Sequence, residues 1–224
     1  MAIKNPTTVT IYGRLSFPVF SYQEAVARNA KSPNPKADIT KVTPEFNLLL
    51  EQAQLDKLLT HVKNEFLPYC EQQSARGEKR NALTPAEVKR VLSVVDSDWT
   101  AQPPYVPFKP VPDKTAPLAP ECVVMVKIVG NRGIDLEQKA IVNSEDELLV
   151  PDPEQLVFPI VKPIGQTVHQ MYAGAYVAAT LNLYSYLSGK VPGFSASASV
   201  AVFKADAERF GGGVSVDEDE IFAD

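Results

Sequence analysis

From Ala175 to Leu187 the chain alternates without interruption for 13 residues. Ala175, Val177, Ala179, Leu181, Leu183, Ser185 and Leu187 fall on one side, and Tyr176, Ala178, Thr180, Asn182, Tyr184 and Tyr186 on the other. Strand side chains repeat with period two, so this run has a core face and a face of tyrosines and amides. A strand this long accumulates right-handed twist, and its apolar face needs cover along its whole length. Ser188 to Gly193 leads to a second long strand, Phe194 to Phe203, whose Ala and Ser side chains permit tight curvature. Long curved strands that close on themselves predict a mainly β (α+β) protein built on a small barrel, with helices and loops inserted.

The rest of the chain supplies the other strands and the insertions. Val9 to Phe20 is rich in β-branched and aromatic residues and predicts a first strand, broken at Gly13 and ended near Pro18. Asn29 to Lys41 reads as a stiffened basic loop carrying Lys31, Lys36 and Lys41, and Phe46 to Leu50 as a short strand or the lead-in to a helix. Leu55, Leu58, Leu59, Val62 and Phe66 form one stripe of a helix from about Ala53 to Pro68. Thr84-Pro85-Ala86-Glu87 is a capping box that opens a second helix, with Val88, Val91, Leu92 and Val95 buried. Val123 to Val129 and Leu156 to Val161 are strand candidates, and the acidic stretch Asp135 to Asp152 reads as a solvated loop.

Residues 100 to 121 hold seven of the 19 prolines. Such a segment is neither helix nor interior strand and runs extended over the surface. Two roles stay open: a pinned loop covering a sheet edge, or a polyproline ligand for a partner.

The chain carries 27 acidic and 22 basic side chains, and five of the acids lie in the last eight residues, so residues 1–216 are formally neutral. That ending, Asp217, Glu218, Asp219, Glu220, Ile221, Phe222, Ala223 and Asp224, follows a hinge at Gly211 to Gly213. It predicts a disordered polyanion with an apolar hook, suited to a basic groove on its own body or to a protein partner. Cys70 and Cys122 stand far apart without metal-ligand spacing and read as reduced thiols. Neither a bilayer-length apolar run nor a secretory leader is present, which predicts a cytoplasmic location. Nucleotide loops, zinc-protease motifs and the hydrolase elbow are absent, and His61 and His169 are the only histidines, so the chain is expected to be neither an enzyme nor a user of metals or cofactors.

Tyr184 and Tyr186 project from the same side of one strand, and two residues advance about 6.7 Å along it. That step is comparable to the spacing of unstacked bases, and aromatic platforms beside cations hold single strands without reading sequence. Packing against neighbouring strands is the other use for such tyrosines.

With these residues in view the chain resembles the phage single-stranded DNA-binding proteins of the Enc34 type. The likeness rests on Gly13-Arg14-Leu15-Ser16-Phe17-Pro18, the middle helix, Tyr172-Ala173-Gly174-Ala175-Tyr176-Val177 running into Asn182-Leu183-Tyr184-Ser185-Tyr186, then Gly193-Phe194-Ser195 and Phe210-Gly211-Gly212-Gly213. The resemblance implies an oligonucleotide-binding (OB-fold-like) barrel that protects single strands in phage replication and recombination. It also implies an acidic tail that competes with DNA and recruits replication or recombination proteins, although here Phe222 is followed by Ala223-Asp224 instead of being terminal. The division it suggests is a DNA-binding domain at 1–205, with a helical insertion at about 53–95 and the Pro-rich loop at 100–121, followed by linker and tail at 206–224. From the local chemistry the DNA contacts are Arg14, Phe17, Lys36, Tyr176, Tyr184, Tyr186 and Lys190, with Lys127 and Arg132 as additions. The rival reading is a non-enzymatic phage structural or assembly protein acting as an interaction module.

Overall fold

The computed structural model describes residues 5–97, 99, 104–142, 160–163 and 171–210. The first strand, β1 (Thr8–Val19), runs unbroken through both Gly13 and Pro18. A Cβ on Gly13 would stand 2.6 Å from the Leu49 carbonyl oxygen, so the glycine lets two strands approach closely and bends β1 instead of breaking it. Pro18 falls in a bulge between Ser16 and Val19, where the ladder needs no N–H. Next comes a helix that the sequence reading missed, α1 (Tyr22–Ala30), whose Ala25, Tyr22 and Val26 pack on Val19 and Val42.

After β2 (Glu45–Glu51), α2 (Gln52–His61) passes through a π-helical turn at Val62–Phe66 into α3 (Leu67–Ala75). The helix expected to stop at Pro68 therefore continues for another two turns. Proline has no N–H for the carbonyl one turn back and its ring crowds that turn; the wider π turn accommodates both. In α4 (Pro85–Asp96) the capping box is formed, the Thr84 amide donating to Glu87 Oε2 at 2.7 Å.

Seven further strands follow among the described residues: β3 (Phe108–Lys109), β4 (Cys122–Val129), β5 (Glu137–Val142), β6 (Ile160–Pro163), β7 (Tyr176–Ser188), β8 (Val191–Ser197) and β9 (Val200–Ala205). β5 lies inside the stretch read as an acidic loop. Its strand character comes from pairing with β9, a long-range contact that its polar sequence does not announce. Within the run expected as one strand, Phe194 to Phe203, the chain instead breaks between β8 and β9. At the break Ala198 N donates to Val129 O and Ser199 O accepts from Glu137 N, so the edge changes partner from β4 to β5.

β1, β2, β4, β8 and β7 follow one another around a ring that closes through the β7–β1 ladder. All neighbours are antiparallel except β4 and β8. This is a closed five-stranded barrel of the OB-fold kind. β9, β5 and β6 extend the sheet beyond it.

Inside, Ile11, Leu15, Phe46, Leu48, Val126, Ile128, Leu181 and Phe194 form one core that continues into Leu58, Val62, Phe66 and Val91 of the helices. The Pro-rich segment covers a sheet edge. β3 pairs with β4 on the side where β8 joins it further along, and Tyr105 bridges to Gly193 of β8.

Candidate nucleic-acid interface

The outward face of β7 and β8 carries a group of three tyrosines. Tyr184 stands opposite Ser195 and Tyr186 opposite Gly193, with the two rings 6.4 Å apart and inclined by 43°. Gly193 makes the close approach possible, since a Cβ there would meet the Tyr105 carbonyl at 2.8 Å and the Tyr186 ring at 3.1 Å. Tyr105, which the sequence offers only as an aromatic within the Pro-rich segment, is held there by two backbone bonds: its N donates to Pro192 O and its O accepts from Phe194 N. Tyr105 and Tyr186 are each 37% exposed, too open for core residues. Burial against its neighbours, together with the nearby Tyr184 and Tyr105, raises the Tyr186 phenol above its ordinary value, so it is neutral at physiological pH. Beside them the β7–β8 turn presents Lys190, whose carbonyl accepts from Arg90 Nη1 at 3.2 Å. Arg90, on the polar side of α4, was not among the residues expected from sequence.

A second basic region lies where the β1–β2 connection folds over β2 and β4. Arg28, Asn29, Lys36, Glu45 and Lys127 line a shallow groove of about 260 Å³ there. Lys36 is positioned by its backbone, its N donating to Asn29 Oδ1 at 2.9 Å, and its Nζ reaches the Lys41 carbonyl at 3.0 Å. Lys127 pairs with Glu45 at 2.6 Å. Asp38 is held below its usual carboxylate range chiefly by hydrogen bonds from Thr40, with smaller contributions from Lys41 and Arg132. Phe17 leaves β1 in the bulge at φ +47° and is 51% exposed. A positive φ is costly for a bulky residue, and here it turns an aromatic ring outward.

Arg14 does not present a cation to solvent. It is buried: Nε donates to Gly174 O at 3.0 Å, Nη1 to Leu118 O at 2.6 Å and Glu121 Oε1 at 3.3 Å, and Nη2 to Glu208 O at 2.6 Å. The Phe210 ring lies 4.4 Å from its guanidinium carbon. Tyr176 belongs to the same assembly, its hydroxyl donating to Glu121 Oε1 at 3.3 Å. The expected role of Arg14 in neutralising phosphate is therefore corrected: the guanidinium binds three carbonyls and a carboxylate of its own chain. What it secures is a strap, residues 206–210, laid with Leu49 and Met125 over the outer face of β2 and β4.

The structure thus brings Lys36 and Lys127 to one groove, Tyr184, Tyr186 and Lys190 to the β7–β8 hairpin, and Arg14 with Tyr176 beneath the strap, and it does not bring Arg132 into that groove. His61 is buried, with Nε2 at 3.0 Å from the Pro6 carbonyl. His169, the hinge at 211–213 and the tail residues Asp217, Glu218, Asp219, Glu220, Ile221 and Phe222 lie outside the described residues. Among the described residues no cluster of metal-binding side chains occurs and no helix is long and apolar enough to cross a membrane.

No protein-family model and no curated protein matches this chain. Among solved structures, the single-stranded DNA-binding protein of bacteriophage Enc34 in complex with single-stranded DNA matches with a TM-score of 0.48 and 14% identity, over 94% of this chain and 97% of that one. The same phage protein in another structure matches with a TM-score of 0.47 and 12% identity, over 98% and 97%. The single-stranded DNA-binding protein gp2.5 of bacteriophage T7 matches with a TM-score of 0.44 and 12% identity, over 96% and 98%. The chain resembles phage single-stranded DNA-binding proteins.

Proposed function

We propose that this barrel binds single-stranded DNA without reading its sequence. The observation that carries the reading is the cluster of exposed Tyr105 and Tyr186 with half-buried Tyr184, beside Lys190 and Arg90, at one of the two loops that flank the ligand face of an OB-fold. The other flanking loop supplies Arg28, Lys36 and Lys127. Rings offer π-faces to any base and the cations accept phosphates, so binding is strong in low salt and indifferent to base order. With three or four phosphates neutralised, affinity for oligo-dT measured by fluorescence anisotropy falls with a log-log salt slope of roughly −2 to −3. An affinity that stays flat as salt rises refutes the reading.

In this proposal the protein shields single strands during phage replication and recombination, and its acidic ending both competes with DNA and recruits partner proteins. Support for competition comes from the strap: Phe210 is docked against Arg14 and packs beside Met125 of β4, the strand that also carries Lys127 of the basic groove. Deleting 216–224 is expected to tighten oligo-dT binding at low salt, with the gain shrinking as salt rises. Equal affinity of the intact and shortened chains at low salt removes the competition part alone.

A further inference from the structure

Tyr12 stands on the outward face of β1, opposite Ala178 of β7, which in turn pairs with Val202 of β9. It is 42% exposed and lies against β7 at Ala178, six residues before Tyr184. Lys57 Nζ, from α2, lies 5.4 Å from the centre of its ring, and Lys204 Nζ, from β9, lies 5.6 Å from it. Two ammonium groups therefore approach one open ring. Among the described residues no carboxylate comes within ion-pair distance of either. Burial pushes the Lys204 ammonium's pKa down, the mark of a charge that has lost water without gaining a counter-ion.

Lys57 joins this ring to a cleft of about 390 Å³ between β1 and α2, where Thr8, Thr10, Lys57, Thr60 and Asn64 supply hydroxyl, amide and ammonium groups and Glu65 a carboxylate. An exposed aromatic face, two uncompensated cations and a polar cleft in one continuous surface match the three parts of a nucleotide. A cation–π contact on an exposed ring is too weak to be the reason that two ammonium groups gather at it. An anion between them would remove the repulsion.

We propose that the β1–β7–β9 face is a second contact surface for single-stranded nucleic acid. A base stacks on Tyr12, phosphates are met by Lys57 and Lys204, and the adjoining sugar or base enters the cleft. This goes beyond the function above, because it needs neither the β7–β8 tyrosines nor the groove at the β1–β2 connection.

Calorimetric titration with an oligo-dT of about six nucleotides, short enough to occupy one surface, tests it. The full chain is expected to bind two such oligonucleotides, and Lys57→Glu combined with Lys204→Glu to bind one, with an unchanged melting temperature. Tyr12→Ala weakens the same event roughly 5- to 150-fold, the range of one lost base stack, while Tyr12→Phe keeps it. Tyr184→Ala with Lys127→Ala removes the other event and leaves this one, so failure of either reading is seen separately. One oligonucleotide per wild-type chain, or two retained by the Lys57→Glu, Lys204→Glu protein, overturns the proposal. So does loss in that variant of binding to a synthetic peptide of residues 216–224 with oligonucleotide binding intact, which assigns the face to an acidic peptide instead.

Discussion

Tyr186 owes its position to a residue without a side chain. Gly193 lets the ring lie across β8, where Ala would bring a Cβ within 3.1 Å of it. The ring is held but not covered, so truncation should cost binding and not folding. Tyr184→Ala or Tyr186→Ala is expected to weaken oligo-dT binding by about 1–3 kcal/mol with little change in melting temperature, and Tyr186→Phe to bind normally. A parallel loss of stability would assign these rings to packing. Arg14 is the opposite case. Removing a guanidinium that satisfies three carbonyls should destabilise the fold by about 2–4 kcal/mol in urea unfolding. Its partner Glu121 adds a pH dependence. Burial raises the carboxyl, but its own backbone amide and Arg14 outweigh this, and the folded group sits below its ordinary value. The stabilisation is therefore complete above about pH 4.5 and is lost as pH falls through the folded value. Glu121→Gln should flatten the fall in stability on acidification.

At the scale of elements, the strap of residues 206–210 depends on Gly174. Its φ is +111°, and a Cβ there would collide with the Glu208 carbonyl. Gly174→Ala should dislodge the strap, seen as faster amide exchange at Phe210, whose N donates to Ala173 O. Cys122 lies under this cover and Cys70 in the core, their thiols pushed up by burial to about 12 and about 11. Both should resist iodoacetamide at about pH 8 in the folded protein and react on unfolding. Sequence patterning made β7, β4 and the α4 cap legible, because alternation and the Thr84–Glu87 box are local signals, and left β2 open between a strand and the lead-in to a helix. It could not show α1, which buries only Ala25 and so has no marked apolar stripe, nor β5 and the division of β8 from β9, which depend on pairing partners far along the chain. The candidate site was legible to the same degree. Outward tyrosines follow from period two, whereas the burial of Arg14 follows from carbonyls contributed by residues 118, 174 and 208.

Across the whole molecule, the barrel is closed unevenly. β1 and β7 share seven register positions, but β4 and β8 meet directly only at Ile128–Ala196 and Val129–Ser197. Below that point the Pro-rich segment fills the wedge, bonded to β4 through Pro107 O and to β8 through Tyr105. This seam is the fastener of the barrel, and the same piece of chain contributes one of the three aromatic rings. A strand stacked on both Tyr105 and Tyr186 would act as a stitch across the seam, so occupancy and closure become one linked equilibrium. Amide exchange at Lys127 and Phe194 should slow when oligo-dT is bound, and the melting temperature should climb with its concentration. A bound single strand would then mend the barrel at its own thinnest joint.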